Sequence, residues 1–171
     1  GFILGTFVAL LNMSRFKIVR FLISVYIEVI RGTPILLQLY IFYFVLPEVL
    51  PFLDLSQFMW VAIAMCINSS AYVSEVIRSG IQAVDKGQTE AARSLGMTQW
   101  QTMQHVVLPQ AIKNILPALA NEVVTLVKES SICSTMGMTE LMFGAKQVAS
   151  NTLITLGPYV MAGVIYFAIN Y

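Results

Sequence analysis

Five apolar stretches, bounded by basic or turn-forming residues, leave this chain few ways to fold. They are Gly1 to Leu11, about Phe21 to Leu46, Gln57 to Ile77, about Ile112 to Val127, and a run that begins near Thr152 and continues to Tyr171. A helix needs roughly 20 apolar residues to cross a bilayer core. Only 11% of the 171 residues are charged and 57% are hydrophobic, against about 25% charged in a soluble domain. The expectation is an all-α, polytopic membrane protein of about five transmembrane helices. No repeat or low-complexity linker divides residues 1–171, which read as a single transmembrane domain. The first run is too short for a full span and the last stops inside an apolar stretch, so both ends read as trimmed. The N-terminus lacks the basic lead and small-residue cleavage site of a signal peptide.

The basic residues set an expected orientation. Arg15, Lys17 and Arg20 follow the first run, and Arg78, Lys86, Arg93 and Lys113 occupy the link between the third and fourth. Pro47 to Ser56 has Glu48 and Asp54 but no Lys or Arg. The positive-inside bias places the two basic links in the cytoplasm and Pro47 to Ser56 outside. Five spans then put the N-terminus outside and the C-terminus inside, with Lys128 to Asn151 as an external link.

The second run is not expected to be one straight helix. Pro34 removes a backbone donor, Gly32 is flexible, and Thr33 is pushed from helical angles by the proline that follows. Glu28 and Arg31 are three apart on one helical face, and are expected to form an ion pair near the cytoplasmic interface.

Between the third and fourth runs lies Arg78 to Lys113, far longer than the 2–8 residues usual between packed helices. Thr89 is positioned to cap a short helix starting at Glu90, whose charge suits the positive end of the helix dipole. Gly96 is a natural stop. Thr98 is positioned to cap a second helix, Gln99 to Leu108, which Pro109 ends or redirects. Trp100, Met103 and Val107 make an apolar stripe on it. Two compact alanines, Ala91 and Ala92, beside Glu90 suit a knob that enters a partner's groove. An amphipathic helix lying on the membrane fits the composition about as well.

Polar groups inside a span are costly and tend to line cavities or pair with one another. Asn68, Tyr72 and Glu75 share one helical face of the third run, with Ser69 beside them. Asn121, Thr125 and Lys128 repeat that spacing in the fourth run, with Glu122 adjacent. An amino-acid zwitterion needs an acceptor for its ammonium, which Glu122 supplies, and donors for its carboxylate. Asn68, Ser69, Tyr72, Asn121, Thr125 and Lys128 complete the candidate set. The same residue types also glue membrane helices together.

Other chemistries find little support. His105 stands alone, so no metal site is expected. Cys66 and Cys133 read as two buried, unpaired thiols. No Gly-Lys pair occurs, so there is no phosphate-binding GxxxxGK[ST] loop. The chain is not expected to be an enzyme, to bind a cofactor or to bind nucleic acid.

Glu90-Ala91-Ala92, Gly96 and Val106-Val107-Leu108-Pro109 together resemble the EAA loop of the membrane-spanning permease subunits of ABC-type importers. Glu28 to Pro34, Asn68 to Tyr72, Ile77 to Ile81, Gly87-Gln88 and Leu108 to Ala111 resemble the branch that takes up polar amino acids, of the arginine, glutamine or histidine kind. The resemblance runs over nearly the whole chain. It implies the type I importer permease fold, five core helices per subunit, and a pairing with a second permease chain, the same or related. It further implies that the loop at 85–111 is cytoplasmic, with Glu90, Ala91, Ala92, Arg93 and Gly96 docked on a separate ATP-binding subunit that holds ATP and Mg. An extracytoplasmic binding protein would deliver the polar amino acid, and the chain would lie in the cell membrane. An ion- or proton-coupled secondary carrier, using Glu75 and Glu122, is the alternative.

Overall fold

The computed structural model describes all of residues 1–171. In chain order the helices are α1 (Phe2–Asn12), α2 (Lys17–Gly32), α3 (Ile35–Tyr40), a π-helical stretch (Ile41–Val45), α4 (Leu46–Val49) and α5 (Gln57–Gln82). There follow α6 (Lys86–Ser94), α7 (Gln99–Thr102), a second π-helical stretch (Met103–Val107), α8 (Leu108–Glu129), a 3-10 segment (Ser130–Met136), α9 (Leu141–Thr152) and α10 (Leu156–Asn170). The all-α expectation holds, since there is no strand.

Two compact units divide the chain, one made of Gly1–Thr33 and Cys66–Glu122, the other of Pro34–Met65 and Val123–Tyr171. Helices α5 and α8 each contribute to both. By length and composition, α5 alone is a helix able to cross a bilayer, and Lys17–Gly32 with Ile35–Val49 passes the same test only as a bent pair, a broken span or a re-entrant loop. The shorter apolar helices Phe2–Asn12 and Leu156–Asn170 occupy the first and last runs. Helix α8 matches the fourth run in place and has 22 residues, but carries Lys113, Asn114, Asn121 and Glu122 along it.

The break in the second run lies where the sequence puts it. Helix α2 ends at Gly32; Thr33 (φ −116°, ψ 144°) and Pro34 (φ −60°, ψ 134°) are extended, and a new helix starts at Ile35.

In the first unit small residues let helices approach closely, the usual device where lipid gives no hydrophobic drive to pack. A methyl at Gly80 would collide with Ile115 of α8, and Asn114 Nδ2 donates to the Gly80 carbonyl at 3.5 Å. The Tyr26 hydroxyl of α2 donates to the Ile67 carbonyl at 3.0 Å and lies 2.6 Å from Ser70 Oγ. Here a mid-helix serine joins two helices.

In the second unit Leu39, Val61, Ala64, Cys133 and Met136 form the core. The stretch Lys128 to Asn151, expected as an external link, is largely helical, because it holds the 3-10 segment and α9. Glu140 caps α9, accepting from Met142 N at 2.9 Å and Phe143 N at 2.6 Å. It also takes the Tyr166 hydroxyl of α10 at 2.8 Å. Lys146 Nζ donates to Ser134 Oγ at 2.8 Å, which gives that cation a local partner.

Large apolar side chains face outward in quantity, among them Ile3, Ile18, Phe21, Val160 and Phe167. An exposed apolar surface of this extent marks an interaction surface, which for these helices is lipid. The two thiols are unpaired as expected, but only Cys133 is buried; Cys66 on α5 is exposed.

Candidate coupling elbow and polar pathway

The polar insert folds into two helices joined at a glycine. Gly96 has φ +83°, a left-handed conformation that glycine adopts without penalty. The Thr98 cap forms as expected: Gln101 N donates to Thr98 Oγ1 at 3.2 Å, and Thr98 N donates to Gln101 Oε1 at 2.8 Å. This reciprocal pair is a capping box.

Three local expectations are corrected. The first helix begins at Lys86, not Glu90, because Asp85 accepts from Gly87 N at 2.7 Å and is the cap; Thr89 lies inside the helix. Pro109 neither ends nor redirects the second helix. It falls just after the π stretch, which runs into α8 without a stop, so the altered hydrogen-bond pattern of that turn accommodates the proline. The extra residue of that π turn also rotates the stripe. Val107 and Thr102 are buried, while Trp100 is 72% exposed.

The candidate docking residues divide by face. Glu90, Ala91, Arg93 and Gly96 are exposed, but Ala92 is buried in the elbow. Consecutive helical positions point about 100° apart, so the two alanines cannot present one surface. Arg93 NH1 donates to the Met97 carbonyl at 2.9 Å and braces the turn. Leu95, 85% exposed, joins Trp100 as apolar side chains on an otherwise polar projection. Their exposure is what the sequence pattern missed; its signal was a lone leucine before the glycine.

On α5, Asn68 and Ser69 are buried and Tyr72 and Glu75 are half-buried. The expected Glu28–Arg31 pair is replaced. Arg31 NH1 lies 3.6 Å from Glu75 Oε2, and its guanidinium stands 5.5 Å from the Tyr72 ring centroid. Glu75 is held in turn by Arg78, whose Nε donates to Oε1 at 2.7 Å, and Arg78 NH1 donates to Gln82 Oε1 at 2.9 Å. Across helices, a cation can meet both a carboxylate and an aromatic face; along α2, Glu28 offers only an exposed partner. Arg31 therefore meets Tyr72 and Glu75, two residues singled out from sequence. Asn121 is exposed beside Glu122, whereas Thr125 and Lys128 lie farther along α8, in the second unit.

A cavity of about 620 Å³ opens next to this cluster in the first unit. It is lined by Asn12 and Met13, by Arg20, Ser24, Ile27, Glu28 and Arg31 of α2, and by Glu75, Arg78 and Gln82 of α5. This is the size of a small-molecule site, with polar walls suited to a charged or zwitterionic solute.

Known proteins resemble the chain over its whole length. The family described as the binding-protein-dependent transport system inner membrane component matches residues 1–171. The arginine transport system permease protein ArtQ of Bacillus subtilis (strain 168) is 45% identical over 169 residues, covering 99% of this chain and 77% of the relative. The probable glutamine ABC transporter permease protein GlnM of the same organism is 42% identical over 170 residues, covering 99% and 78%. A crystal structure of an amino acid ABC transporter with histidines superposes with a TM-score of 0.92 at 48% identity, covering 99% of this chain and 78% of the other. The elbow, the polar face of α5 and a match over every residue lead to one conclusion: the chain belongs to the family of inner-membrane components of binding-protein-dependent transport systems.

Proposed function

We propose that the chain is the permease subunit of an ATP-driven importer of polar amino acids, arginine-, glutamine- or histidine-like. The observation that carries this reading is the exposed elbow, α6–Gly96–α7, a structured polar projection between α5 and α8. A chain without a nucleotide-binding loop needs such a lever to be driven by another subunit. The naming of relatives as arginine and glutamine permeases supports the substrate class. Family membership sets aside the ion- or proton-coupled carrier.

In this reading Glu90, Ala91 and Gly96 meet a separate ATP-binding subunit that holds ATP and Mg, with Leu95 and Trp100 adding apolar grip. Ala92 shapes the elbow from within, and Arg93 braces its turn from outside. A second permease chain pairs with this one, and an extracytoplasmic binding protein supplies the amino acid. The elbow and the C-terminus face the cytoplasm and the N-terminus faces outside, as the basic links imply. Tyr72, Asn121 and Glu122 contact the amino acid. Asn68 and Ser69, being buried, hold α5 in register behind them, and Thr125 and Lys128 extend the polar track.

The test is uptake into proteoliposomes containing this chain, its ATP-binding subunit and its binding protein. Labelled arginine, glutamine and histidine are offered outside and ATP is enclosed. Uptake of at least one that requires enclosed ATP supports the reading; uptake that persists without the ATP-binding subunit refutes it.

A further inference from the structure

Arg31 lies in the last turn of α2, just before the break at Thr33-Pro34, with its side chain partly exposed at 42%. It is fourteen residues from the start of α2 at Lys17, roughly 21 Å along the helix axis at 1.5 Å per residue. Its pairing does not use up its chemistry. At 3.6 Å, Arg31 NH1 and Glu75 Oε2 attract electrostatically but are too far apart for a hydrogen bond. Arg78 takes the nearer hydrogen bonds to that carboxylate. A guanidinium has five N–H donors in a planar fork that matches a carboxylate, and Tyr72 supports the face of that fork. The cavity beside it runs from Met13, Arg20 and Gln82, at the basic end of α2 and the polar end of α5, up to Arg31 and Glu75.

We propose that Arg31 binds the α-carboxylate of the transported amino acid, at the inner end of a release vestibule, and that Glu75 positions it there. This rests on the amino-acid importer reading above. Every α-amino acid carries the carboxylate, so the contact reads the class of solute. Arg31 belongs to no candidate set drawn from the sequence, where it was assigned to an ion pair with Glu28.

The experiment is equilibrium binding to the purified permease–ATPase complex without the binding protein. It compares L-arginine, L-glutamine and L-histidine with their decarboxylated counterparts agmatine, 4-aminobutanamide and histamine. The wild type is expected to prefer one amino acid over its amine by about tenfold or more, and Arg31→Gln to weaken that amino acid by roughly tenfold to a hundredfold, the range of a hydrogen bond to a charged group. Affinity for the amine should stay within about twofold, and Arg31→Lys should restore part of the preference. Glu75→Gln should shift it the same way by less. An Arg31→Gln complex that keeps the wild-type preference overturns the proposal, as does equal loss for amino acid and amine. If Arg31→Gln does not assemble, Arg31→Lys decides: a preference unchanged from wild type overturns the proposal, and a reduced one supports it. If the wild type binds none of the three amino acids, the importer reading itself fails.

Discussion

The hydroxyl of Tyr166 on α10 donates to Glu140 Oε2 at 2.8 Å, while the same carboxylate accepts from Met142 N and Phe143 N and closes the first turn of α9. One acidic side chain thus caps a helix and ties it to the next. Tyr166→Phe removes only the tie and is expected to cost about 1.5–3 kcal/mol, as for a hydrogen bond to a charged group. Glu140→Ala removes tie and cap together and should cost about 1 kcal/mol more. Hydrogen exchange of the α9 and α10 amides in detergent checks both, with faster exchange confined to that hairpin.

At the elbow, the left-handed backbone of Gly96 sets a clear contrast. Gly96→Val forces a β-branched residue into that conformation at a cost of about 1–2 kcal/mol. The expected outcome is a folded complex that still hydrolyses ATP but takes up less amino acid per ATP. Gly96→Asn, which tolerates the same angles, should remain coupled. The ratio of ATP hydrolysed to amino acid accumulated in proteoliposomes separates them.

Packing between α5 and α8 depends on the absence of a side chain at Gly80. Gly80→Val meets Ile115 directly and should destabilise the protein by about 1–3 kcal/mol, the usual range for overpacking. Ile115→Ala in the same chain opens space and should recover part of that loss. Thermal unfolding of the single and double variants measures the coupling; strict additivity of the two changes would contradict the contact.

Glu122→Gln tests what the α8 carboxylate reads. If it meets a substrate side chain, uptake of arginine should fall more than uptake of glutamine. If it meets the ammonium common to all amino acids, both should fall alike, and this equal loss is the expected outcome. Competition uptake with the two labelled amino acids gives the answer directly.

Capping the first elbow helix is the job of Asp85 rather than Thr89. Asp85→Ala should cost about 1 kcal/mol of local stability, while Thr89→Ala should leave the helix start unchanged. Amide exchange at Gly87 distinguishes the two.

Periodicity and propensity alone identified the all-α class, the break at Thr33-Pro34, the glycine elbow and the Thr98 cap, because each is decided by a few neighbouring residues. Proline and glycine restrict φ and ψ locally, and a hydroxyl reaches only the amides next to it. The errors fell where local choices competed. Asp85 and Thr89 are both good caps, and what separates them is the turn that precedes the helix. Pro109 would break a regular α-helix, but the π turn just before it accommodates the ring. The π turn at Met103–Val107 inserts a residue that no apolar pattern announces, so Val107 shares its buried side with Thr102 while Trp100 turns outward.

What the chain's own order determined was which segments are helical, which residues are too polar for lipid, and that a polar elbow interrupts the apolar runs; these follow from backbone geometry and the cost of burying charge. Only the tertiary structure decided that Arg31 leaves Glu28 for Glu75 and Tyr72, and that Ala92 turns inward while Leu95 and Trp100 turn out. A side chain's partner across helices depends on how two helices pack, and that packing is set by many weak contacts summed over their length rather than by any stretch of sequence.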